Sequence, residues 1–443
     1  MNAITIERPS ITQAFEFDGE DVVRTLRLNR YHSRQRVMNS SSSTNARKAF
    51  YASRLSSKVR VDGEAETQIT YIDLFCGGGG LSLGLHEALR NLGFAPKMIL
   101  AADLDRAALE LVRRHFSPLI CRNRSVDDLV EYLVDYSGAR GGFASHPKIL
   151  DKELERYKGR ISLLIGGPPC QGHSNLNNRT RREDPRNLLY FAMPAIAVCL
   201  AIPNIIIENV PAINKSKVNV VKLTREILID AGYNVEEIVL NSSEFNVAQT
   251  RQRHFLVASK GPLLNIRLVS DLLKSAPITF ADVAMDLPAL GFDYPMLERN
   301  GALSSENKRR IEFLQKNGVF ELPNSERPDC HKDSNTYPSV YGRIHPDQPM
   351  QTVTTGFASP GRGRYVHPIE GRTITIREAG RIQAFPDWYW KEARPLNFNR
   401  ADFQKIIGDA VPSIMIEPLV FSLFGSSMTE NSKAERASIS SEP

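Results

Sequence analysis

The feature that most constrains the fold of this chain is an alternation of short apolar segments with helical stretches, beginning near Thr70. The predicted strands and the helices between them lie at about 69–75, 82–92, 98–102, 106–115, 161–165 and 204–208. Strands that alternate with helices in this way form parallel βαβ units. We therefore predict an α/β fold with a doubly wound, Rossmann-like sheet. In such sheets the ligand site lies beyond the carboxyl ends of the strands.

This alternation covers only part of the chain, so we predict five segments. Residues 1–68 are a basic N-terminal extension, partly disordered, and residues 427–443 are a disordered polar tail. Residues 69–260 form the α/β domain. Residues 261–400 are rich in Pro, Gly and Asn and form a smaller, irregular domain. Residues 401–426 regain a periodic apolar pattern and return to the α/β domain.

The N-terminal extension carries a run of positive charge. Between Val22 and Arg60 there are ten Lys and Arg residues and no Asp or Glu, and the polar stretch 39–44 resembles a flexible break. Two interpretations stay open: an arm that contacts phosphates, and a solvated, partly disordered tail. The net charge of +6 permits a polyanionic partner.

The cysteines and the hydropathy pattern exclude several classes of protein. The five cysteines are Cys76, Cys121, Cys170, Cys199 and Cys330. They are scattered and form no C-x-x-C pair, which predicts neither a disulfide framework nor a metal site. No apolar run reaches the roughly 20 residues of a membrane span. We expect a cytoplasmic protein that does not associate with a membrane.

The run Asp73–Gly80 places four glycines where the first strand must turn into the first helix. A dinucleotide fingerprint, G-x-G-x-x-G, fails here because Ser82 or Leu83 stands at its last position. The turn therefore suits a nucleoside without a pyrophosphate. Asp103, after the second strand, could accept hydrogen bonds from ribose hydroxyls. A purely structural turn at the glycines, and a helix cap at Asp103, remain the alternatives.

A second loop, Gly166–Ser174, follows the third predicted strand and contains Cys170 between rigid prolines and glycines. A thiolate held in such a loop is a strong nucleophile once its pKa is lowered. The alternative is a buried structural cysteine, which is the more common role for a single cysteine.

With these residues, the chain resembles the cytosine-C5 DNA methyltransferase family of bacterial restriction-modification systems. Motifs similar to those of the family occur in its order over about residues 70–425. They are 73–80, 168–172, 184–188, 208–211, 249–253, 375–379 with 381–387, and 408–412. One short motif matches easily by chance, whereas an ordered set does not. The resemblance implies a methyltransferase domain at 69–260 and a target-recognition domain at 261–400.

The resemblance implies a covalent mechanism. Cys170 is the nucleophile that adds to C6 of cytosine, and Glu208 supplies a proton or hydrogen bond at N3. Arg251 and Arg253 alternate along an extended segment, and they stabilise the base carbonyl and anchor the catalytic loop or the DNA backbone. The target base must leave the duplex, because C5 and C6 are inaccessible within the stack. Without the motifs, Glu208 would be an ordinary strand-end carboxylate and the arginines would be surface residues.

The implied cofactor is S-adenosyl-L-methionine. By resemblance, its site gathers Phe75, Gly77, Gly79, Gly80, Leu81, Asp103, Leu104, Pro168, Leu189, Asp409, Ala410 and Val411. The implied partner is double-stranded DNA, contacted by candidates Gln171, Ser174, Arg343, Thr354, Thr355, Arg362 and Arg364. We expect a monomer, with a cognate restriction endonuclease, if one exists, acting separately.

The chain departs from the family pattern at three places. His173 stands where the family usually has Phe, and Asp409 where it often has Asn. The acidic residue expected near Ser125 is absent, and Asp127 or Asp128 would have to replace it. These departures leave open a low-activity or catalytically silent homologue that binds DNA. An RNA-directed methyltransferase of the same fold is a separate alternative.

Overall fold

The computed structural model describes residues 10–29, 31–63, 65, 67–135, 141–169, 185–215, 218–285, 287, 293–332 and 339–426. The strands are β1 (Ile11–Asp18), β2 (Asp21–Leu28), β3 (Tyr31–Met38), β4 (Arg60–Val61), β5 (Thr67–Leu74), β6 (Phe94–Ala102), β7 (Ile120–Arg122), β8 (Val130–Glu131), β9 (Val134–Asp135), β10 (Gly142–Phe143), β11 (Lys148–Ile149), β12 (Leu163–Gly166), β13 (Asn204–Asn209), β14 (Asn234–Asn241), β15 (Gln249–Thr250), β16 (Gln252–Ser259) and β17 (Met350–Gln351). The α-helices are α1 (Ala46–Ser56), α2 (Gly80–Asn91), α3 (Arg106–Phe116), α4 (Lys152–Glu155), α5 (Ala192–Cys199), α6 (Val220–Asp230), α7 (Ile266–Leu273), α8 (Phe280–Ala284), α9 (Ser305–Lys316), α10 (Ile376–Ile382), α11 (Arg400–Asp409) and α12 (Glu417–Phe424).

The centre of the molecule is a sheet in the order β14-β16-β13-β12-β5-β6-β7. Its neighbouring strands are parallel, except that β16 runs antiparallel to both β13 and β14. From β5 the chain proceeds outward to β6 and β7, and it later returns to the other side of β5 through β12 and β13. The predicted α/β fold is confirmed. The change of direction between β5 and β12 is the switch point at which such sheets bind ligands.

Helices cover both faces of this sheet because successive side chains of each strand point to opposite faces. In β5, Tyr71 packs into the core that contains α2, α3 and α12. The next residue, Ile72, packs into the core on the opposite face, which contains α5 and α6. Asp105 starts α3 by accepting hydrogen bonds from the amides of Ala107 and Ala108.

The apolar C-terminal stretch Arg400–Phe424 is long and apolar enough to cross a membrane. It is instead part of the protein core, since 83% of its apolar window is buried inside the molecule. It is also divided, because a 3-10 segment at Ser413–Ile416 separates α11 from α12. α12 packs against α2 and α7.

The structure differs from the prediction at the N-terminus, where residues 1–68 were expected to form a partly disordered extension. The described residues in this range form an antiparallel sheet, β1-β2-β3-β4, with α1 packed against it. In β2, Leu26 and Leu28 are buried whereas Arg27 between them is exposed. Arginines that alternate with aliphatic residues are the pattern of a half-buried strand, and this alternation went unrecognised within the charge run.

The charges of this N-terminal sheet are largely paired within the protein. Arg24 is buried and forms two hydrogen bonds, of 2.8 and 3.1 Å, with the carboxylate of Glu417. Nη1 of Arg36 lies 2.7 Å from Oδ2 of Asp18. Nζ of Lys48 on α1 lies 2.9 Å from Oδ2 of Asp282. Side chains in such pairs are not available as a continuous basic arm for phosphates. The interpretation as a phosphate-binding arm is therefore wrong for these paired residues.

The separate unit in the irregular region is smaller than the predicted range 261–400, because part of that range packs into the larger core. α7, α8 and α10 contribute buried residues to the larger core, together with the N-terminal sheet and α12. A separate small core is formed by Ile311, Leu314, Leu322, Val340, Tyr341 and Val366. The small unit is therefore centred on α9 and the segments around 322 and 340–366.

Candidate active site and cofactor cleft

A cavity of about 300 Å³ opens beyond the carboxyl ends of β5, β12 and β13, at the switch point of the sheet. We call it the cofactor cavity. Ten of the twelve predicted cofactor residues line it, all except Gly79 and Leu189. The other lining residues are Cys76, Gly78, Ala108, Gly167, Pro169, Glu208, Asn209, Val210, Arg253, Lys405 and Ile406.

The glycine turn between β5 and α2 forms one wall of the cofactor cavity. Gly77 has a φ of 49°, a left-handed conformation that glycine adopts without strain. At Gly80 a Cβ atom would lie 2.8 Å from the backbone oxygen of Val411, closer than any real contact. The turn therefore requires glycine both for its backbone path and for its close approach to the C-terminal segment.

The carboxylate of Asp103 faces this turn at the end of β6. Its Oδ2 accepts a hydrogen bond from the amide of Gly77 at 2.8 Å, and its Oδ1 accepts one from the amide of Asp105 at 2.7 Å. Each oxygen keeps a second lone pair that can accept from a ligand hydroxyl. The alternative role of capping α3 belongs to Asp105, not to Asp103.

Some residues predicted at this site lie elsewhere. A Cβ atom on Gly79 would contact the Tyr389 hydroxyl and the Phe116 ring, so Gly79 packs toward the interior. Leu189 is half-buried in a 3-10 segment at Pro185–Phe191. Asp127 accepts a hydrogen bond from Tyr132 at 3.0 Å and does not line the cofactor cavity. None of these three residues lines the cofactor cavity.

Sequence reasoning missed Lys405, whose ammonium reaches both sides of the cavity mouth. Its Nζ lies 2.7 Å from Oδ2 of Asp105 and 3.8 Å from Oδ2 of Asp409. Lys405 and Asp409 are four residues apart on α11, a spacing that places both side chains on one helix face. That spacing was a usable signal. Val210 belongs to the motif 208–211 but was not proposed as a cavity residue, and nothing in the sequence indicated Ile406.

The catalytic half of the cavity is built at the ends of β12 and β13. Glu208 at the end of β13 is buried, and its Oε1 lies 2.7 Å from Nε of Arg253. A Cβ atom on Gly167 would lie 2.8 Å from the other Glu208 oxygen, so glycine lets the loop approach the carboxylate. The side-chain amide of Asn209 donates to the backbone oxygen of Pro168 at 3.1 Å and ties the two strand ends together.

Glu208 is electrostatically balanced between burial and positive neighbours. Burial raises the pKa of Glu208, and Arg253, Arg251 and His254 oppose this effect in that order. The net direction is upward, so this carboxyl holds a proton more readily than an exposed glutamate does. That property suits a group that must donate a proton or a hydrogen bond.

Arg251 and Arg253, which the sequence placed together in the catalytic group, have different environments. Arg251 is buried and donates to the backbone oxygens of Val353 at 2.7 Å and Gly408 at 3.1 Å. It thereby joins the sheet to two distant segments and does not line the cofactor cavity. Arg253 forms an ion pair with Glu208.

Cys170, Gln171, His173 and Ser174 lie outside the described residues. The described chain ends at Pro169 in the wall of the cofactor cavity and resumes at residue 185. Within the described part of the chain, no group of three or more His, Cys, Asp or Glu residues could hold a metal ion.

A larger cleft of about 1320 Å³ separates the α/β domain from the small unit. The predicted DNA-contact residues Thr354, Thr355 and Arg362 line it, together with Arg253. Val210 and Arg253 line both this cleft and the cofactor cavity, so the two spaces meet at these residues. Arg400, which the sequence did not suggest, also lines the cleft.

The structure corrects the prediction for Arg343 and Arg364, which do not line this cleft. Arg364 is buried, and its Nη2 lies 2.5 Å from Oε1 of Glu321. The guanidinium of Arg343 lies 4.4 Å from the ring centre of Phe320. Both partners lie close in sequence to Leu322 of the small core, so the two arginines contribute to packing within the small unit.

Comparisons with known proteins agree with this geometry. The model of the family described as C-5 cytosine-specific DNA methylase matches residues 69–424. Type II methyltransferase M1.BsuMI of Bacillus subtilis is 38% identical over 424 residues, covering 93% of this chain and 94% of that protein. Type II methyltransferase M.DdeI of Desulfomicrobium norvegicum is 29% identical over 393 residues, covering 79% and 86%.

Two solved structures share the fold. Methyltransferase EhMeth of Entamoeba histolytica superposes with a TM-score of 0.52 at 17% identity, covering 82% of this chain and 99% of that one. A DNMT2 variant of Spodoptera frugiperda gives a TM-score of 0.53 at 17% identity, covering 80% and 99%. From the matched family model and the extensive similarity to M1.BsuMI, the chain belongs to the C-5 cytosine-specific DNA methylase family and is a DNA cytosine-5-methyltransferase.

Proposed function

We propose that this enzyme methylates C5 of a cytosine flipped out of a specific double-stranded DNA sequence, with S-adenosyl-L-methionine as donor, through a covalent adduct between Cys170 and C6. The observation that carries the proposal is the buried Glu208–Arg253 pair. It lies in the same cavity as the glycine turn and as Pro169, the residue before Cys170.

The residues present fit the cofactor. The approach of Gly80 to Val411 leaves a wall without a side chain, and Asp103 keeps lone pairs for ribose hydroxyls. Phe75, half-buried at the cavity wall, offers an apolar ring surface to an adenine. When bound, S-adenosyl-L-methionine supplies an electrophilic methyl group.

The protein's own groups activate the base. The Cys170 thiolate forms a bond to C6, and the displaced electron pair moves toward C5 and N3 of the ring. A protonated Glu208 hydrogen-bonds to N3 and stabilises this charge, and burial favours that protonated form. Arg253 holds the carboxyl in place at 2.7 Å and faces both the cavity and the cleft. After C5 is methylated, water takes up the C5 proton, the C5–H electron pair restores the C5–C6 double bond, and the S–C6 pair returns to sulfur as the thiolate.

The arrangement of the two cavities supports base flipping. A duplex bound in the large cleft presents its bases outside the cofactor cavity, and the connection lies at Val210 and Arg253. A cytosine that rotates out of the stack through this connection reaches Glu208, at a cost of a few kcal/mol in lost stacking and pairing.

We assign the DNA contacts of the cleft to Thr354, Thr355 and Arg362, with Arg400 as an addition. Nε and Nη2 of Arg400 are buried without a hydrogen-bond partner within the described part of the chain. A DNA phosphate would supply the acceptors that these atoms lack. Gln171 and Ser174 stay assigned to the DNA side of the catalytic loop by resemblance. The enzyme is proposed to act as a cytoplasmic monomer, and any restriction endonuclease acts separately.

The test uses the full chain with methyl-labelled S-adenosyl-L-methionine and DNA. Wild-type protein should transfer label to DNA and should become trapped covalently on DNA that carries 5-fluorocytosine at its target. Cys170→Ala should lose both activities while it still binds S-adenosylhomocysteine. Cys121→Ala, which removes a cysteine distant in sequence from the loop, should retain them.

Two results would contradict the proposal. Turnover by the Cys170→Ala variant would remove the nucleophile, and transfer to transfer RNA in preference to DNA would indicate the RNA-directed alternative. Absence of transfer to any DNA by a protein that binds the cofactor would favour the catalytically silent homologue.

A further inference from the structure

A second cavity, of about 210 Å³, lies between the N-terminal sheet and α2. We call it the N-terminal cavity. It shares no lining residue with the cofactor cavity, and none of the residues proposed to act on DNA lines it. Its walls come from β2, β3, α1, α2, the end of α3 and the 3-10 segment Asp387–Leu396. The proposed methyl transfer makes no use of this space.

One wall of the N-terminal cavity is aromatic and rigid. The rings of His115 and Tyr389 stack with their centres 3.7 Å apart and their planes 10° apart. The Tyr389 hydroxyl donates to the backbone oxygen of Gly78 at 2.7 Å, which fixes its ring. Trp388 and Phe116 extend this wall. Tyr389 is buried and supports the wall, whereas the half-buried rings of Trp388 and Phe116 offer stacking surfaces to another flat ring.

The histidines of this wall carry no charge at neutral pH. Burial, assisted by Arg90, lowers the pKa of His86 to about 3. Burial also lowers the pKa of His115 to about 4. The hydroxyl of Tyr71 and Nε2 of His86 form a hydrogen bond of 2.9 Å. The charge of the cavity is therefore decided by its Arg, Lys and Glu residues.

One buried polar atom of the cavity lacks a hydrogen-bond partner among the residues that the structure describes. Gln35 is 2% exposed and lines the cavity, and its Nε2 has no hydrogen-bond partner within the described part of the chain. Its Oε1 accepts a long hydrogen bond of 3.5 Å from Arg24. A buried amide donor without an acceptor is unfavourable, so a ligand that supplies an acceptor gains a hydrogen bond here.

The free charge of the cavity is positive. Lys58 and Arg90 are exposed lining residues, and no ion pair joins either of them to another described residue. The Lys58 ammonium lies 5.1 Å from the ring centre of Trp388. The acidic lining residues are already occupied: Glu87 pairs with Arg54, and Glu417 pairs with Arg24.

We propose that the N-terminal cavity is a binding site for a small aromatic carboxylate with a hydrogen-bond acceptor at the opposite end of its ring. The ligand ring packs against Trp388 and Phe116, and the acceptor receives a hydrogen bond from the Gln35 amide at the buried end. The carboxylate faces Lys58 and Arg90 at the exposed end. The site is formed jointly by the N-terminal sheet and the α/β domain, and it is separate from the cofactor cavity.

The experiment is calorimetric titration of the full chain with 4-hydroxybenzoate, which carries both groups at opposite ends of one ring. We expect saturable binding with one ligand per chain. The neutral 4-hydroxybenzamide should bind at least fivefold more weakly, because it lacks the charge that Lys58 and Arg90 recognise. Benzoate should bind at least threefold more weakly, because it cannot accept from Gln35.

Two sets of variants locate the binding. The double variant Lys58→Gln, Arg90→Gln should weaken 4-hydroxybenzoate binding at least fivefold, whereas the exposed Arg156→Gln should leave it unchanged. Gln35→Leu should abolish the preference for 4-hydroxybenzoate over benzoate. Lys58 and Arg90 are exposed, so their replacement tests the site even if Gln35→Leu does not fold.

The proposal is overturned if 4-hydroxybenzoate shows no saturable binding at millimolar concentration. It is also overturned if the Lys58, Arg90 double variant binds this probe as tightly as Arg156→Gln. Neither result depends on methyl transfer. A failure here therefore leaves the proposed function intact, and a failure of methyl transfer leaves the N-terminal cavity testable.

Discussion

Replacing Arg253 with glutamine tests the electrostatic design of the active site. Nε of Arg253 lies 2.7 Å from Glu208, and the two side chains are only 13% and 10% exposed. At an effective dielectric constant of about 20, Coulomb's law gives about 6 kcal/mol for that separation before desolvation is subtracted. Removing one partner of a buried pair costs about 3–5 kcal/mol. Because Arg251 and His254 still act on Glu208, we expect a loss near the lower figure.

The loss should depend on pH in a defined direction. Burial raises the pKa of Glu208 and Arg253 opposes it, so Arg253→Gln raises the folded-state pKa further above the unfolded value. A carboxyl of this kind binds its proton more tightly in the folded protein. The variant therefore gains stability as pH falls through the folded-state pKa toward the unfolded value. Its deficit relative to wild type should be largest near pH 8 and smaller near pH 5.

Urea unfolding at both pH values measures this effect, and a double-mutant cycle with Glu208→Gln isolates the pair. We expect a coupling free energy above about 1.5 kcal/mol at pH 8. The matched control is Arg225→Gln, since Arg225 is 43% exposed and lies 3.6 Å from Glu237. Exposed pairs contribute about 0.2–1 kcal/mol. A Glu208–Arg253 coupling no larger than that of the control, or a deficit that grows at pH 5, would refute the reasoning.

Three further predictions concern packing, the N-terminal sheet and acid stability. Gly80→Ala places a Cβ 2.8 Å from a backbone oxygen, so calorimetry should show S-adenosylhomocysteine binding about tenfold weaker; Gly142→Ala, with open space around it, should not. Arg24→Gln leaves Glu417 buried without its guanidinium, and urea unfolding should show a loss of about 3 kcal/mol. The folded-state pKa of His86 is about 3, whereas that of a histidine in the unfolded chain is about 6.5. Between these pH values only the unfolded chain takes up the proton, so the free energy of unfolding should fall by about 1–2 kcal/mol at pH 5. His86→Leu should reduce that fall.

The sequence by itself was sufficient for four of the seven strands of the central sheet and for most of the cofactor cavity, but not for β7, β14 and β16. The apolar runs that predicted β5, β6, β12 and β13 are local features, and a strand of this composition is stable only when both faces are covered. The carboxyl ends of parallel strands meet at one edge of the sheet. Residues that follow different strands, such as Asp103 and Glu208, could therefore be placed together before any coordinates were known.

Only the tertiary structure decided which charged side chains are free to act. Arg24 and Glu417 are 393 residues apart in sequence and form a buried pair. Arg364 likewise pairs with Glu321 within the small unit and not with a ligand in the cleft. Arg400, which gave no signal in the sequence, lines that cleft, and two of its nitrogens have no hydrogen-bond partner among the described residues. A charge interacts with whatever lies within a few ångströms of it, and for these side chains the neighbours are determined by packing between distant parts of the chain.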